Sequence, residues 1–510
     1  MIVGVTVIGF LLAIFAAVLL VDGQYVPILV CFLVFGGVAA FFTLKNNMWI
    51  LIAIFLASPI TLNFLPIPFS LSELAVISST AYIFFVTLLF EKGKISLGPR
   101  HLCFPLILIV LLIVYHWFGS GGGFRVLGSA NFGARRNFSM CLALVAFVVI
   151  LSAPRKSAYL IKNLPLLFLG GTILGVAPFL LTSFFPFMSP YVNLISGNVN
   201  VEAYSQAMTQ SNFTEGGMGR IGQLSTLGVA LQLCLLSYFP LTTWWRPNRW
   251  WVSVLALLAL YFVIRSGFRS GLFYYVIISM AGAFFWLRWK SLLLWPPGLT
   301  VLLLIGFMHG KAYQLPFSMQ RTLSFLPLEF DTGVKESAKG SNDFRQQVQD
   351  LYLLQFAGKS PWIGNGFKFD ALEVTQWVAF GADSAGEGDP IRRFITKKDF
   401  HIGWISVYDS IGVIGFGFFL WFCWSLMYEG WKLIPKSRDY VNPLKPWLFC
   451  YLMKEIVAFF AVFGAIQNIF LILSTLGALI WAIRVLDMHD EKDREDKKVP
   501  VVNSPESAPA

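Results

Sequence analysis

The sequence contains few charged residues, which make up only 13% of its 510 positions. Soluble globular proteins average about 25%, whereas 57% of this chain is hydrophobic. The composition therefore excludes an ordinary soluble fold and predicts an integral membrane protein. The net charge of +11 does not indicate a nucleic-acid partner, because most of the basic residues are spread through short loops.

Cysteine is also scarce, and the N-terminal residues do not show the pattern expected of a cleavable leader. The six cysteines lie in or beside apolar segments, and none has a partner in a polar loop. This pattern predicts neither a disulfide framework nor a Cys-x-x-Cys metal site. The N-terminal apolar stretch lacks a basic start and a small-residue cleavage site, so we expect it to be the first transmembrane helix.

Long apolar segments predict an all-α, polytopic transmembrane bundle of about 12–14 spanning helices, since one crossing needs roughly 20 apolar residues. The segment near 447–463 is the weakest, because it contains Lys454 and Glu455. The candidates lie near 2–21, 26–44, 48–65, 71–90, 102–118, 138–153, 164–185, 221–240, 250–264, 271–287, 291–308, 402–427, 447–463 and 466–486.

These segments divide the chain into four regions. Residues 1–308 hold about eleven of the predicted helices and residues 401–486 about three. Residues 309–400 form one large, partly helical loop, which the charge pattern places in the periplasm. Residues 487–510 combine alternating charges with Pro and Ser, and we expect them to be a disordered cytoplasmic tail.

The distribution of basic residues sets the expected orientation. With the N-terminus inside, the inner loops hold more basic residues than the outer loops, as the positive-inside rule requires. The inner set mixes lysine with arginine, but the short outer loops hold only arginine. Because arginine binds phosphate bidentately and lysine does not, we expect phosphate recognition; the alternative is chance, or side chains reaching lipid headgroups. The outer arginines are Arg125, Arg135, Arg136, Arg220, Arg265 and Arg269.

The long loop contains a predicted amphipathic helix. Ser341 is positioned to cap a helix from Asn342 to Ala357, which Gly358 would stop. We expect this helix either to lie over the outer membrane face and cover a cavity, or simply to pack against the rest of the loop. The Gly- and Asp-rich stretch 381–390 is a candidate lid. One face of the helix is apolar and holds Phe344, Val348, Leu351 and Tyr352.

The stretch "IRSGFRSGLFYY", residues 264–275, is the first candidate binding motif. Arg265 and Arg269 are four residues apart and would share one face if the turn is helical. The neighbouring glycines would allow a ligand to approach the backbone. Ser270 is positioned to cap the next helix, whose N-terminus would favour an anion.

A second candidate, "GSGGGFRVLGSANFGARRN", covers residues 119–137. Its glycines with Arg125, Arg135 and Arg136 are able to form a backbone nest for an anion. The alternative is a flexible linker with incidental arginines.

The third candidate is His401, at the start of an apolar segment that contains Gly412 and Gly415. The upstream cations Lys397 and Lys398 disfavour imidazolium and would keep the ring neutral, as a general base requires. The alternative is an interfacial histidine that binds lipid headgroups.

The order of these motifs resembles the signature of the O-antigen ligase and O-antigen polymerase superfamily. His401, Ile405, Gly412 and Gly415 precede an apolar helix in the family's spacing. "RQQVQDLYLLQFAGKSPWIGNGF" looks like the family's amphipathic helix and Pro-x-x-Gly-x-Gly turn, and "RSGFRSG" looks like its Ser-Arg-Gly segment, with Arg269 in the arginine slot. The resemblance covers residues 260–430. Ile402 stands where the family usually has Asn. Ser410 stands where an acid is common, with Asp409 one position earlier.

The resemblance implies a membrane glycosyltransferase of surface-polysaccharide biosynthesis in the cytoplasmic membrane, with its active site facing the periplasm. The donor would be an undecaprenyl-diphosphate-linked oligosaccharide. The acceptor would be lipid A-core for a ligase, or another lipid-linked glycan for a polymerase. His401 would be the general base, and Arg345 and Asp409 would support the site. The diphosphate would be bound by Arg265, Arg269, Arg125, Arg135 and Arg136.

No cofactor is expected. The outer side has no Asp-x-Asp-like motif beyond "EGD" at 387–389, which favours a metal-independent reaction in which arginine replaces the metal.

The competing class is a flippase or transporter of lipid-linked sugars, which more often has charged groups deep in its helices. Here the candidates are Glu73, near a helix end, and the pair Lys454 and Glu455. A third possibility is an inactive scaffold of a polysaccharide-assembly complex.

Overall fold

The computed structural model describes a helical membrane protein in which long helices pack side by side. Two short strands, β1 (Thr61–Leu62) and β2 (Phe69–Ser70), pair antiparallel before the first helix. The described residues are 61–62, 69–90, 95–119, 134–152, 162–184, 222–244, 246–294, 311–355, 357–358, 360–367, 398, 400, 402–435, 442–462 and 464–498.

The helices follow the apolar pattern of the sequence. Short 3-10 turns lie at Leu241–Thr243, Pro247–Arg249, Arg288–Leu294 and Ala312–Gln314. In chain order the described α-helices are α1 (Leu71–Phe90), α2 (Arg100–Gly119), α3 (Ala134–Ser152), α4 (Leu164–Phe184), α5 (Gly222–Tyr238), α6 (Trp250–Arg265), α7 (Arg269–Leu287), α8 (Phe317–Leu323), α9 (Thr332–Gln355), α10 (Gly403–Trp431), α11 (Leu444–Ala461) and α12 (Ile466–Lys498).

The predicted all-α, polytopic fold is confirmed. Each predicted segment between 71 and 287, and each of the last three, coincides with a helix. Within the described part of the chain, 5 helical stretches are long and apolar enough to cross a bilayer. They are Arg100–Gly119, Pro247–Arg265, Arg269–Ser291, Gly403–Trp431 and Ile469–Met488.

Four predicted crossings fall mainly outside the described residues, so the predicted total of 12–14 stays a prediction. The segments 2–21 and 26–44 lie wholly outside. The segment 48–65 lies outside except for Thr61–Leu62, which forms β1, so its predicted helical end at 65 is wrong. The start of the segment 291–308 is a 3-10 turn, and its remainder is not described.

The core of the bundle forms where apolar helix faces meet. Helix α3 packs on α12, α2 on α10, α5 on α6 and α7 on α11. Large side chains such as Phe147, Phe285 and Trp447 are almost completely buried there. Other large apolar side chains, such as Phe118 and Trp424, are exposed on the helix surfaces. An apolar exterior around an apolar core suits a protein surrounded by lipid.

Glu73 has a structural role at the start of α1. Its Oε2 accepts a hydrogen bond from Ser70 N at 2.8 Å, and Ser70 Oγ accepts one from Glu73 N at 3.2 Å. This reciprocal arrangement is a capping box, which satisfies backbone donors that the helix itself leaves unpaired. Glu73 therefore does not support the transporter alternative.

The predicted disordered tail is wrong for residues 487–498, because α12 continues to Lys498. The sequence there places acids and bases three or four positions apart, as in Asp490 with Arg494 and Asp493 with Lys497. Opposite charges at this spacing stabilise a helix, each by about 0.2–0.5 kcal/mol. Alternating charges are common in disordered segments, but their spacing here also suits a helix. Residues 499–510 lie outside the described part.

The two ends of the bundle have different polar contacts. On α2, His101 contacts Glu429, whereas His116 contacts the backbone carbonyl of Ile363. On α10, Asp409 and Glu429 are separated by roughly 30 Å at 1.5 Å per residue. We call these two ends the Glu429 end and the arginine end; the latter contains the described parts of the predicted binding motifs.

Candidate functional site

Helix α9 organises the arginine end. It begins at Thr332, ten residues before the predicted start, so the prediction that Ser341 caps it is wrong. The preceding residue, Asp331, accepts a hydrogen bond from Gly333 N through Oδ1 at 2.8 Å. A carboxylate at this position satisfies one of the unpaired N–H groups and favours the helix start. The sequence analysis overlooked Asp331 because Gly340 and Ser341 look like a break.

The predicted apolar face of α9 is confirmed, and it docks the helix onto the start of α10. Val348 and Tyr352 are buried in one cluster with Phe400 and Ile405, and Phe344 packs at its edge. The opposite face of α9 stays polar. This arrangement fixes which side chains of α9 point away from the bundle core.

Arg265 and Arg269 lie at the ends of two different helices. Helix α6 ends at Arg265 and α7 begins at Arg269, with Gly267 at φ 78° in the turn between them. The prediction of one shared helical face is therefore wrong, because the glycine reverses the chain. The cap of α7 is Phe268 rather than the predicted Ser270.

Both arginines nevertheless reach the polar segments that follow α7. Arg265 Nη1 donates to Ser318 Oγ on α8 at 2.5 Å. Arg269 Nη2 donates to the Ala338 carbonyl and to Asn342 Oδ1 on α9, each at 3.2 Å. The two guanidinium groups thus hold α8 and α9 against the bundle.

Arg345 joins this group from α9. Its positive charge acts on the guanidinium of Arg269 and also on the hydroxyl of Tyr274. Among the described residues, the recorded salt bridges join no carboxylate to Arg265, Arg269 or Arg345. Two arginines close to each other, neither in salt-bridge contact with a described carboxylate, favour an anion, although Glu455 also acts on the nearby Tyr274 hydroxyl.

A cavity of about 460 Å³ opens beside Arg345. One wall is the polar face of α9, and the other is formed by Ile402 and the C-terminal end of α11. Its volume lies within the range of small-molecule sites, roughly 300–1,000 Å³. The lining residues are Arg345, Gln346, Gln349, Asp350, Ile402, Phe460, Ala461 and Val462.

The turn "SPWIGNGF" is inserted into a break in α10. In an unbroken helix, the N–H groups of Val413 and Ile414 would bind the carbonyls of Asp409 and Ser410. Here Val413 N donates to the Pro361 carbonyl at 2.9 Å and Ile414 N donates to the Trp362 carbonyl at 3.0 Å. The freed carbonyls of Asp409 and Ser410 accept instead from Asn365 N and Gly366 N, at 2.6 and 3.1 Å.

This exchange of backbone partners requires glycine at the break. Gly412 has φ 66° and ψ −170° inside α10, a conformation that is essentially restricted to glycine. Gly364, on the inserted turn, has φ 80°. A Cβ atom added to Gly364 would lie 2.5 Å from Gly412 N. Gly364 of the inserted turn and Gly412 of α10 therefore form the two sides of one backbone contact.

Asp409 fastens the inserted turn through its side chain. Its Oδ2 forms an ion pair with Lys398 Nζ at 3.0 Å, and its Oδ1 accepts from Asn365 Nδ2 at 2.9 Å and Tyr352 Oη at 3.2 Å. Burial raises the pKa of Tyr352 above its ordinary value, and the charge of Asp409 adds to the shift. The Tyr352 hydroxyl thus stays protonated as a donor. Asp409 therefore supports the inserted turn.

Two more basic side chains hold this region. Lys398 Nζ donates to the Gly366 carbonyl at 2.6 Å, and Arg136 Nη1 donates to the Lys398 carbonyl at 3.4 Å. His116 Nε2 is 2.7 Å from the Ile363 carbonyl. Arg136 therefore contacts the segment that precedes His401, and its predicted role in binding the diphosphate stays a prediction. The sequence analysis did not identify His116, because its partner is 247 positions away.

The remaining predicted residues are described only in part. His401 and Arg125 lie outside the described residues, as does the candidate lid at 381–390. Arg135 lies in the first turn of α3, and its side chain is not described. Ile402, the residue that follows His401 in the sequence, lines the cavity.

The deep charged pair on α11 is internally neutralised. Lys454 Nζ and Glu455 Oε1 are 2.5 Å apart. The lysine also lies 5.4 Å from the ring centroid of Tyr274 and 4.9 Å from that of Tyr451. This contact agrees with the structural interpretation of the pair.

The Glu429 end carries a separate ionic cluster. The Glu429 carboxylate is fully buried and contacts Lys432 Nζ at 3.0 Å, His101 Nε2 at 3.0 Å and Arg484 Nη1. Here the cations surround an acid, unlike the arginines near the cavity. The contrast between the two ends identifies the arginine end as the better candidate for binding an anionic ligand.

Comparison of the chain with protein-family models and with curated proteins finds no match. What the fold and site define is therefore a class: a polytopic helical membrane protein with a polar cavity, lined by Arg345 and Asp350 among others, at one end of its bundle.

Proposed function

We propose that this protein is a metal-independent membrane glycosyltransferase of the O-antigen ligase and polymerase type. Its donor is an undecaprenyl-diphosphate-linked oligosaccharide, and its acceptor is a hydroxyl of lipid A-core or of another lipid-linked glycan. The site lies at the arginine end, which the distribution of basic residues places on the periplasmic side of the cytoplasmic membrane. The product belongs to a surface polysaccharide.

The observation that carries this proposal is the grouping of Arg265, Arg269 and Arg345 without a carboxylate in salt-bridge contact, within the described part of the chain. A lipid-borne diphosphate supplies the missing negative charge. Arginine binds phosphate oxygens through two parallel N–H groups. Arg269 uses only Nη2 in its two recorded contacts, so Nε and Nη1 are left as separate donors on different sides of the guanidinium for a ligand.

The chemistry assigns a role to each group. The acceptor hydroxyl oxygen attacks the anomeric carbon of the donor sugar, and the bond from that carbon to the diphosphate oxygen breaks. The undecaprenyl diphosphate leaves with the bonding electron pair, and the arginines stabilise its charge in the transition state. His401 accepts the proton of the acceptor hydroxyl, a contribution of typically 10² to 10⁴ in rate.

Ile402 and Arg345 line one cavity, which supports a common location for the histidine and the arginines. The inserted turn and the Lys398–Asp409 ion pair hold the segment just before His401. A general base needs such support, because a small displacement from the acceptor hydroxyl sharply lowers the rate. Arg136 and Asp409 thus serve the site by positioning its backbone.

The test is reconstitution of the purified protein with a defined undecaprenyl-diphosphate oligosaccharide, with and without lipid A-core. Transfer only with lipid A-core identifies a ligase, and chain growth without it identifies a polymerase. Absence of either product, together with movement of the lipid-linked sugar across a vesicle, would overturn the proposal in favour of a flippase. A scaffold is indicated if His401→Ala leaves glycan transfer unchanged in cells.

A further inference from the structure

The cavity beside Arg345 has a second lining region, made of amide and carboxylate groups, that the diphosphate does not explain. Gln346, Gln349 and Asp350 line it from α9, together with Arg345. Facing them are Phe460, and Val462 from the end of α11. Only the Arg345 side of the cavity carries positive charge, and Asp350 repels an anion on the other side.

We propose that this region is a subsite for a hydroxyl-rich sugar, recognised by Gln346, Gln349 and Asp350. This inference rests on the proposed function, and it names the part of the substrate that the cavity selects. The sugar belongs either to the donor, next to the diphosphate, or to the acceptor glycan.

The side-chain chemistry of the polar wall fits sugar hydroxyls. A hydroxyl both donates and accepts hydrogen bonds, an amide offers an N–H₂ donor and a carbonyl acceptor, and a carboxylate only accepts. Residues 345 and 349, and likewise 346 and 350, are four apart, which places each pair on one side of α9. The polar groups therefore form a continuous strip.

The opposite wall fits the other face of a sugar ring. Ile402, Phe460 and Val462 present apolar surface across the cavity, where the C–H groups of a pyranose can pack. Ligand sites commonly combine such an apolar wall with a few converging polar groups that fix orientation. A site that forms hydrogen bonds with a substrate hydroxyl also rejects analogues that lack the hydroxyl. The polar strip on α9 is therefore suited to discriminate between sugars.

The experiment measures the affinity of three probes for the full-length protein in detergent. They are undecaprenyl diphosphate carrying the oligosaccharide, undecaprenyl diphosphate alone, and the soluble oligosaccharide of lipid A-core. The test variant combines Gln346→Ala with Gln349→Ala. The matched control is Gln347→Ala, because Gln347 is exposed on the same helix but does not line the cavity. Gel filtration verifies that each variant is folded.

The double variant is expected to lose about tenfold or more in affinity for one sugar-bearing probe, as the loss of two or more hydrogen bonds requires. Its affinity for sugar-free undecaprenyl diphosphate stays unchanged, and Gln347→Ala binds all probes like the wild type. If the double variant loses affinity for the lipid-linked oligosaccharide, the subsite binds the donor sugar. If it loses affinity for the core oligosaccharide, the subsite binds the acceptor sugar.

Arg345→Ala separates the two proposals. If it weakens binding of both diphosphate lipids while the double variant binds every probe normally, the sugar subsite is refuted and the proposed function stands. If Arg345→Ala and the double variant both bind all probes like the wild type, both proposals are wrong.

Discussion

Gly364 and Gly412 touch through their backbones, at the point where the inserted turn interrupts α10. A Cβ atom on Gly364 would lie 2.5 Å from Gly412 N, and one on Gly412 would overlap the Gly364 and Trp362 backbone. The contact joins a loop and a membrane helix that are 48 positions apart in the sequence, counting from 364 to 412. It explains why both segments need glycine at fixed positions.

Gly412→Ala is expected to destabilise the protein and detach the inserted turn. The backbone conformation alone costs an alanine about 1–3 kcal/mol, and the overlap with the turn adds to this. The thermal midpoint of the purified protein should fall, and limited proteolysis within residues 360–367 should become faster.

Gly417→Ala is the matched control, because Gly417 lies on the same helix with nothing within 4 Å of the position of an added Cβ. Alanine in a helix is favoured over glycine by about 1 kcal/mol, so this variant should be at least as stable as the wild type. Equal stability of Gly412→Ala and Gly417→Ala would contradict the interlocked arrangement.

Asp409→Ala should lower stability because it removes a buried partner of Lys398. The side chains are 4% and 11% exposed, and loss of one member of a buried ion pair costs about 3–5 kcal/mol. Thermal unfolding in detergent measures the change. Asp343→Ala, at an exposed position of α9, should leave the midpoint unchanged. A normal midpoint for Asp409→Ala would mean that the ion pair does not hold the turn.

Glu429→Gln should reduce stability without reducing turnover per folded molecule. Its carboxylate is fully buried among His101, Lys432 and Arg484, which are themselves partly exposed. Loss of charge-assisted hydrogen bonds costs about 1–3 kcal/mol, and solvent screening of the partners favours the lower part of this range. A distance of roughly 30 Å along α10 separates this cluster from Asp409, at the arginine end.

The measurement for Glu429→Gln combines thermal unfolding with transfer activity, normalised to the monodisperse fraction. A stable variant that has lost its activity would place the Glu429 end in the reaction, against the assignment made here.

The helical fold was predictable because apolar length and composition are local properties. The segments at 71–90, 102–118 and 271–287 match the observed helices closely. Errors arose where local signals conflict. Gly340 and Ser341 suggested a helix start, whereas Asp331 provides the cap. The charges after Asp487 suggested disorder, whereas their spacing also suits a helix.

The site was only partly predictable, because its main contacts join distant segments. The sequence identified Arg265 and Arg269 as candidates for phosphate binding and Arg345 as a supporting residue. No local pattern shows that Arg345 acts on Arg269, or that neither has a carboxylate in salt-bridge contact within the described residues. The break in α10 depends on backbone hydrogen bonds from residues 361–366. The sequence does not distinguish an exposed amide such as Gln346 from any other solvent-facing helix residue. Its place in a cavity follows only from the residues that form the opposite cavity wall.

The most direct test of the account is glycan transfer by Arg269→Lys, assayed with the lipid-linked donor under saturating acceptor. Lysine keeps the charge but loses the planar, bidentate geometry, so we expect turnover to fall by about 10² or more, as on removal of a transition-state donor. Because Arg269 also donates to Ala338 and Asn342 on α9, a small fall in the thermal midpoint is expected, and turnover is therefore normalised to the folded fraction. Arg246→Lys, at an exposed position outside the site, should retain full activity. Wild-type turnover by Arg269→Lys would contradict diphosphate binding at the arginine end.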